Sequence, residues 1–242
     1  MREPLQPPET DNTITNGRAP VVDADADDRI VKTGTTTLGA VAVDGAVLAA
    51  DSRASLGGQF VTNRTAQKIE PIDDRTAVAF AGSVSDAQSF VRQLRAEVRG
   101  YEMRHERPMS VETMSTVAGD LVRRGSYRIL DPVLAGVDDE PAVYDIGPGG
   151  GVMRTDYAAS GSGMQLAYGV LENSYEPDAT VEELRDVAVS AVHGATERDT
   201  ASGDGMTVAA ITESGIDLER FDDLEAAVAT TNETPDGAEE VA

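Results

Sequence analysis

The stretch "TTTLGAVAVDGAVLAADSR", Thr35 to Arg53, constrains the fold more than any other part of the chain. Two apolar, β-type runs flank Asp44-Gly45, a pair suited to a two-residue hairpin because both residues tolerate positive φ. Pairing Val43 with Ala46 sets Leu38 opposite Asp51, and strict alternation then points Asp51 to the face away from Thr35. Bringing Asp51 to Thr35 requires a bulge, or conformational freedom at Thr35 itself.

The pattern beyond the hairpin alternates blocks of strands with blocks of helices. Strands are predicted over Gln59–Thr62, Lys68–Ile72 and Thr76–Phe80. A helix capped by Ser83 follows, with Phe90, Val91, Leu94, Val98 and Tyr101 at helical spacing. A second helix from Ser110 carries Val111, Met114, Val117, Ala118, Leu121 and Val122 on one stripe. Strands return at Val133–Val137, Ala142–Ile146 and Gly151–Tyr157. After them come helices from Gly163 to about Glu172 and from Val181 to about Thr196, then strands at Met206–Ile211 and Gly215–Leu218. Hairpin-linked strands with helices in blocks imply antiparallel sheets covered by helices, an α+β domain and not a βαβ fold.

The two ends of the chain differ from this middle. Residues 1–34 combine prolines with "PETDN" and the acidic run "DADADD", which offer little to bury, and read as a disordered or removable leader. Residues 35–225 make the folded domain, and residues 226–242, ending "TPDGAEEVA", read as an acidic solvated tail.

Charge and residue usage narrow the function. A formal net charge of −23, from 43 acidic and 20 basic residues, argues against nucleic acid or an anionic membrane as partner. Eighteen of the basic residues are arginines and only Lys32 and Lys68 are lysines, an acid-rich, lysine-poor balance that fits a very salty cytoplasm. With no cysteine and only His105 and His193, disulfides, thiolate metal sites and cysteine nucleophiles are excluded, and a Ser-His-Asp relay has few candidates. His193, on a predicted helix, reads as structural, and His105 as lying at an exposed helix end. No stretch reaches a membrane span and there is no apolar signal core, so the chain is expected in the cytoplasm, without metal or cofactor.

Thr35-Thr36-Thr37 can simply begin a strand, since threonine suits a pleated surface. The run also starts where the leader ends, directly after Gly34. Cleavage of the Gly34–Thr35 bond would expose an α-amine with an ordinary pKa of about 8, able to serve as the base for the hydroxyl of the same residue. Acyl transfer would then need no histidine.

Several motifs in order resemble the β subunits of the archaeal 20S proteasome, within the N-terminal nucleophile hydrolases. "TGTTTLG" is similar to the processing site and mature N-terminus, and "AADSRAS" to the segment bearing the acidic partner, here Asp51. "QKIEPI" brings Lys68 to the position of the essential lysine, across a loop one residue longer. "AFAGSVSDAQ" supplies Gly82 for the oxyanion site, "ASGSG" supplies Ser162, and "ERDTASGDG" supplies Asp199 and Ser202. "YGVLE" is a further match.

The resemblance implies a four-layer αββα sandwich of two antiparallel sheets, and a precursor that cuts itself between Gly34 and Thr35. Thr35 would be the nucleophile of a threonine-type endopeptidase, with Lys68 lowering the hydroxyl pKa and Asp51 holding the ammonium. Ser162, Asp199 and Ser202 would orient the amine and a water. Ala54, Phe80 and Val84 would line the first specificity pocket, favouring cleavage after hydrophobic residues. Implied partners are other β subunits in seven-membered rings, rings of α subunits, an ATP-dependent regulatory ring and unfolded polypeptides. A non-catalytic scaffold subunit, and a six-membered two-component bacterial relative, stand as alternatives.

Overall fold

The run "GAVLAAD" is apolar at nearly every position because both faces of its strand are buried, a pattern alternation alone would not produce. In the computed structural model, which describes residues 34–231 apart from positions 57, 58, 126 and 128, this strand is β2 (Gly45–Asp51). It lies between β1 (Thr36–Ala42) and β11 (Met206–Thr212) in an antiparallel sheet of order β10-β1-β2-β11-β12, completed by β10 (Tyr157–Gly161) and β12 (Gly215–Phe221). A second antiparallel sheet has the order β5-β6-β7-β8-β9: β5 (Ile69–Pro71), β6 (Thr76–Gly82), β7 (Leu130–Val137), β8 (Pro141–Ile146) and β9 (Val152–Thr155).

Three buried clusters separate four layers. Ala46, Leu48 and Ala50 of β2 meet Ala77, Ala79, Val133 and Val143 between the sheets, where alanines allow close approach. Val47 and Ala49, on the other face of β2, meet helices α3 (Met164–Ser174) and α4 (Val181–Thr196) through Ala167, Leu171, Leu184 and Val192. Val78, Phe80 and Leu134 of the second sheet pack on helices α1 (Val84–His105) and α2 (Val111–Arg124) through Phe90, Leu94 and Met114. The architecture is the expected αββα sandwich. Among the described residues no helix is long and apolar enough to cross a membrane.

The hairpin differs from its expected register. Ala42 pairs with Gly45, so Val43 and Asp44 form the tip, and neither Asp44 nor Gly45 takes a positive φ. The tip is instead drawn to the start of α4, where Val181 N–H donates to Asp44 Oδ1 at 2.8 Å and Val43 N–H donates to the Ala179 carbonyl at 3.0 Å. Leu38 now faces Ala49, which brings Asp51 level with the very start of β1. No bulge is needed, because Thr35 precedes the strand and is free of its alternation.

Smaller differences have similar local causes. Ser83 occupies the N-cap of α1 but makes no capping bond, its hydroxyl pairing with Ser85 at 2.9 Å. Ser110 does cap α2, accepting from Thr113 N–H. The predicted strand at 151–157 is two strands broken at Asp156, whose carbonyl accepts from Val41 N–H. Residues 54–63 form a separate ribbon, β3 (Ala54–Leu56) with β4 (Phe60–Asn63). Residues 226–231, expected in the tail, belong to helix α5 (Leu224–Thr231), anchored by the fully buried Ala227. The leader through residue 33, with Lys32, and the tail from 232 lie outside the described residues.

Candidate active site

The corrected hairpin delivers Asp51 to Thr35. One carboxylate oxygen, Oδ1, accepts from Thr35 Oγ1 at 3.0 Å, from Thr36 N–H at 2.8 Å and from Lys68 Nζ at 2.7 Å. The other, Oδ2, accepts from the N–H groups of Arg53 at 3.0 Å and Gly203 at 2.9 Å. Five donors converge on one carboxylate that is 1% exposed, which compensates the loss of its hydration.

Lys68 reaches this point from the second sheet, immediately before β5, and its Nζ also contacts Thr35 Oγ1. Burial at 6% exposure holds the Lys68 pKa below the ordinary lysine value, although Asp51 pulls it upward. A lowered pKa brings the neutral amine closer to reach than in an exposed lysine. Lys68 is also the only lysine among the described residues.

The backbone side of Thr35 is held by three further residues. Thr35 N–H donates to Ser162 Oγ at 3.1 Å, and that hydroxyl lies 2.5 Å from Asp199 Oδ2. Ser202 Oγ donates to the same carboxylate oxygen at 2.7 Å and lies 2.9 Å from Thr36 Oγ1. Thr35, Asp51, Lys68, Ser162, Asp199 and Ser202 thus form one connected network across both sheets.

Gly82 ends β6 at φ +128°, where a side chain would collide with the Ile129 carbonyl. Its backbone lines the same small cavity as Thr35, of about 90 Å³, together with Ala54, Phe80 and Val84. Ala54, Phe80 and Val84 also border an adjoining space of about 440 Å³. The wider space is less apolar than expected: Gln67, Glu70, Gln88 and Arg95 enter it, and Arg95 Nη2 donates to Glu70 Oε2 at 2.9 Å.

Sequence reasoning missed a third carboxylate, Asp204. Arg53 Nε donates to Asp204 Oδ2 at 3.0 Å and Arg53 Nη1 to the Thr200 carbonyl at 2.9 Å, while Arg64 Nη1 donates to Asp204 Oδ1 at 2.5 Å. Burial alone would raise the Asp204 pKa, but the two guanidiniums hold it below the usual carboxylate value. This clamp ties the end of β2 to the loop 199–205, which carries Asp199, Ser202 and Gly203. The positive φ of both Gly203 (144°) and Asp204 (66°) was foreshadowed only by the turn-forming "SGDG".

A threonine hydroxyl flanked by a buried lysine and carboxylate, with the backbone nitrogen of the same residue linked to a Ser-Asp-Ser chain, is a geometry suited to acyl transfer through an N-terminal threonine. The comparisons agree with the fold. The family model described as "Proteasome subunit" matches residues 31–211. The chain is 50% identical over 198 residues to "Proteasome subunit beta" of Halorhabdus utahensis, covering 81% of this chain and 85% of the relative. It is 49% identical over 205 residues to "Proteasome subunit beta 2" of Haloterrigena turkmenica, covering 84% and 86%. With "Proteasome subunit beta 2" of Haloarcula marismortui it shares 45% identity over 213 residues, 87% of this chain and 93% of that one. Matched over three quarters of its length by the family model, and over more by β subunits of halophilic archaea, the chain belongs to the proteasome subunit family.

Proposed function

We propose that this chain is the proteolytic β subunit of a proteasome, a threonine endopeptidase that releases its own nucleophile by cutting between Gly34 and Thr35. The observation that carries the proposal is the placement of Thr35 Oγ1 against both Asp51 and the buried Lys68.

The precursor and the mature enzyme need different bases. Before cleavage the Thr35 nitrogen is an amide and cannot accept a proton. Neutral Lys68 then takes the Oγ1 proton as Oγ1 bonds to the Gly34 carbonyl carbon. The carbon–nitrogen bond breaks, the nitrogen gains a proton, and the acyl group rests on Oγ1 as an ester. Water hydrolyses the ester, leaving the leader with a Gly34 carboxylate and Thr35 with a free amine. In turnover that amine, oriented by Ser162, Asp199 and Ser202, serves as the base on the same residue, and Gly82 N–H faces the oxyanion.

The pH dependence follows from the Lys68 environment. A pKa depressed by burial enlarges the neutral fraction at any given pH, so the leader-removal rate rises with pH and levels off below the ordinary lysine value of 10.5. Single-turnover cleavage of the precursor across pH checks this. A rate still climbing at 10.5 contradicts it.

The mature subunit would sit in β rings between rings of α subunits in the cytoplasm, fed unfolded polypeptide by an ATP-dependent ring. Ala54, Phe80 and Val84 beside Thr35 favour a hydrophobic residue before the cut bond. Fluorogenic peptides test the reading: those with leucine, tyrosine or phenylalanine at that position should be cut fastest by assembled rings. Faster cleavage after acidic or basic residues would show that Glu70, Arg95 and their neighbours set the preference instead. A fully assembled ring that cuts none of these peptides would contradict the proteolytic reading.

A further inference from the structure

The chain is tethered on both sides of the Gly34–Thr35 bond, through the N–H groups of the two residues that it joins. Thr35 N–H is held by Ser162, whereas Gly34 N–H donates to Ser55 Oγ at 3.3 Å. Ser55 is 3% exposed, and its hydroxyl donates onward to the Ala201 carbonyl at 3.4 Å. Ala201 closes the other side of Gly34, since a Cβ there would collide with the Ala201 methyl and lie 3.1 Å from Ser55 Oγ. The two tethers hang from one loop, Ser162 from Asp199 and Ser55 from Ala201. The same loop sends Ser202 to Thr36 and Gly203 N–H to Asp51.

The turnover chemistry proposed above assigns no step to the Ser55 hydroxyl. Its partner Gly34 leaves with the leader, so this bond exists only in the precursor. Glycine is also the residue with the most backbone freedom to lose, and an untethered Gly34 carbonyl would sample many orientations relative to Thr35 Oγ1. Effective intramolecular attack depends on removing that freedom beforehand.

We propose that Ser55 is a positioning residue for leader removal. With Ala201 it forms a cradle that accepts only glycine as the last leader residue and fixes the Gly34 carbonyl for attack by Thr35. The proposal rests on the self-cleavage reading above. The bonds made and broken are those of that reading: Ser55 exchanges no proton with the reacting atoms and acts through Gly34.

The test follows leader loss by intact mass over time in assembled rings of the full-length wild type, Ser55→Ala and Ser55→Thr. Ser55→Ala is expected to slow leader loss roughly 5- to 20-fold, the loss of one buried hydrogen bond at the barrier. Ser55→Thr, which keeps the hydroxyl, restores most of the rate. The pH at which the Ser55→Ala rate levels off stays at the wild-type value while the plateau falls, because the proton acceptor is unchanged. A general packing defect would not be repaired by the bulkier threonine. Leader loss at the wild-type rate in Ser55→Ala, or a Ser55→Thr chain as slow as Ser55→Ala, overturns the assignment. A wild-type chain that keeps its leader overturns the self-cleavage reading itself, and this inference with it.

Discussion

Thr35→Ala is expected to keep its leader and to lose peptide cleavage by about a million-fold, the scale seen when a covalent nucleophile is deleted. The substitution removes the only hydroxyl among the described residues that contacts both Asp51 and Lys68, while Thr36 is engaged with Ser202 on the other side of the strand. The fold should survive, since the lost Thr35–Asp51 bond is worth about 1 kcal/mol and Asp51 keeps its four other donors. Thr35→Ser, which retains an oxygen nucleophile, should recover leader removal and part of the turnover. Mass and peptide assays on the same rings check both points. Normal leader removal by the alanine variant would assign the cut to another protease.

Lys68→Arg should reduce leader removal by about 10²- to 10⁴-fold, the contribution of a positioned general base. Arginine preserves the positive charge beside Asp51, so the carboxylate is not left buried and unpaired, a loss that costs roughly 3–5 kcal/mol. It cannot accept a proton, because its guanidinium stays protonated even when buried. The substitution therefore separates proton transfer from charge compensation. Kinetics of the precursor in rings of normal mass provide the measurement. A Lys68→Arg chain that sheds its leader within tenfold of wild type would mean that Lys68 contributes only its charge.

The residues that meet in the candidate site were legible in the sequence because they lie in short motifs. Gly34-Thr35, Asp51 and Lys68 each sit in a local pattern whose residue types are unusual for their setting, one of only two lysines in an arginine-rich chain above all. Helix α4 covers the expected span, and in the structure Thr180 and Glu183 form a reciprocal capping box at its start. The hairpin register was not legible, because Asp44 has two possible uses and the choice is made by Val181, 137 residues away. Helix α5 was hidden by its acidic surroundings, its place set by the packing of Ala227 and Leu224 on the outer face of the first sheet.

The supporting part of the site shows the same limit. The Arg53–Asp204 clamp joins residues 151 apart, and the Ser55–Ala201 cradle joins residues 146 apart. Neither pair carries a local signal: arginine, serine and alanine are ordinary in turns and strands. Only the return of the loop 199–205 beside the end of β2 gives them a role. That loop organises the site from behind, by holding Asp51, Ser162 and, in the precursor, Gly34.

The central claim is that Thr35 becomes a free N-terminal nucleophile. Intact mass of this chain in rings purified from its native host tests that claim most directly. The account predicts a chain whose first residue is Thr35, with Met1 to Gly34 absent. A fully assembled chain that still carries Met1 to Gly34 would contradict it.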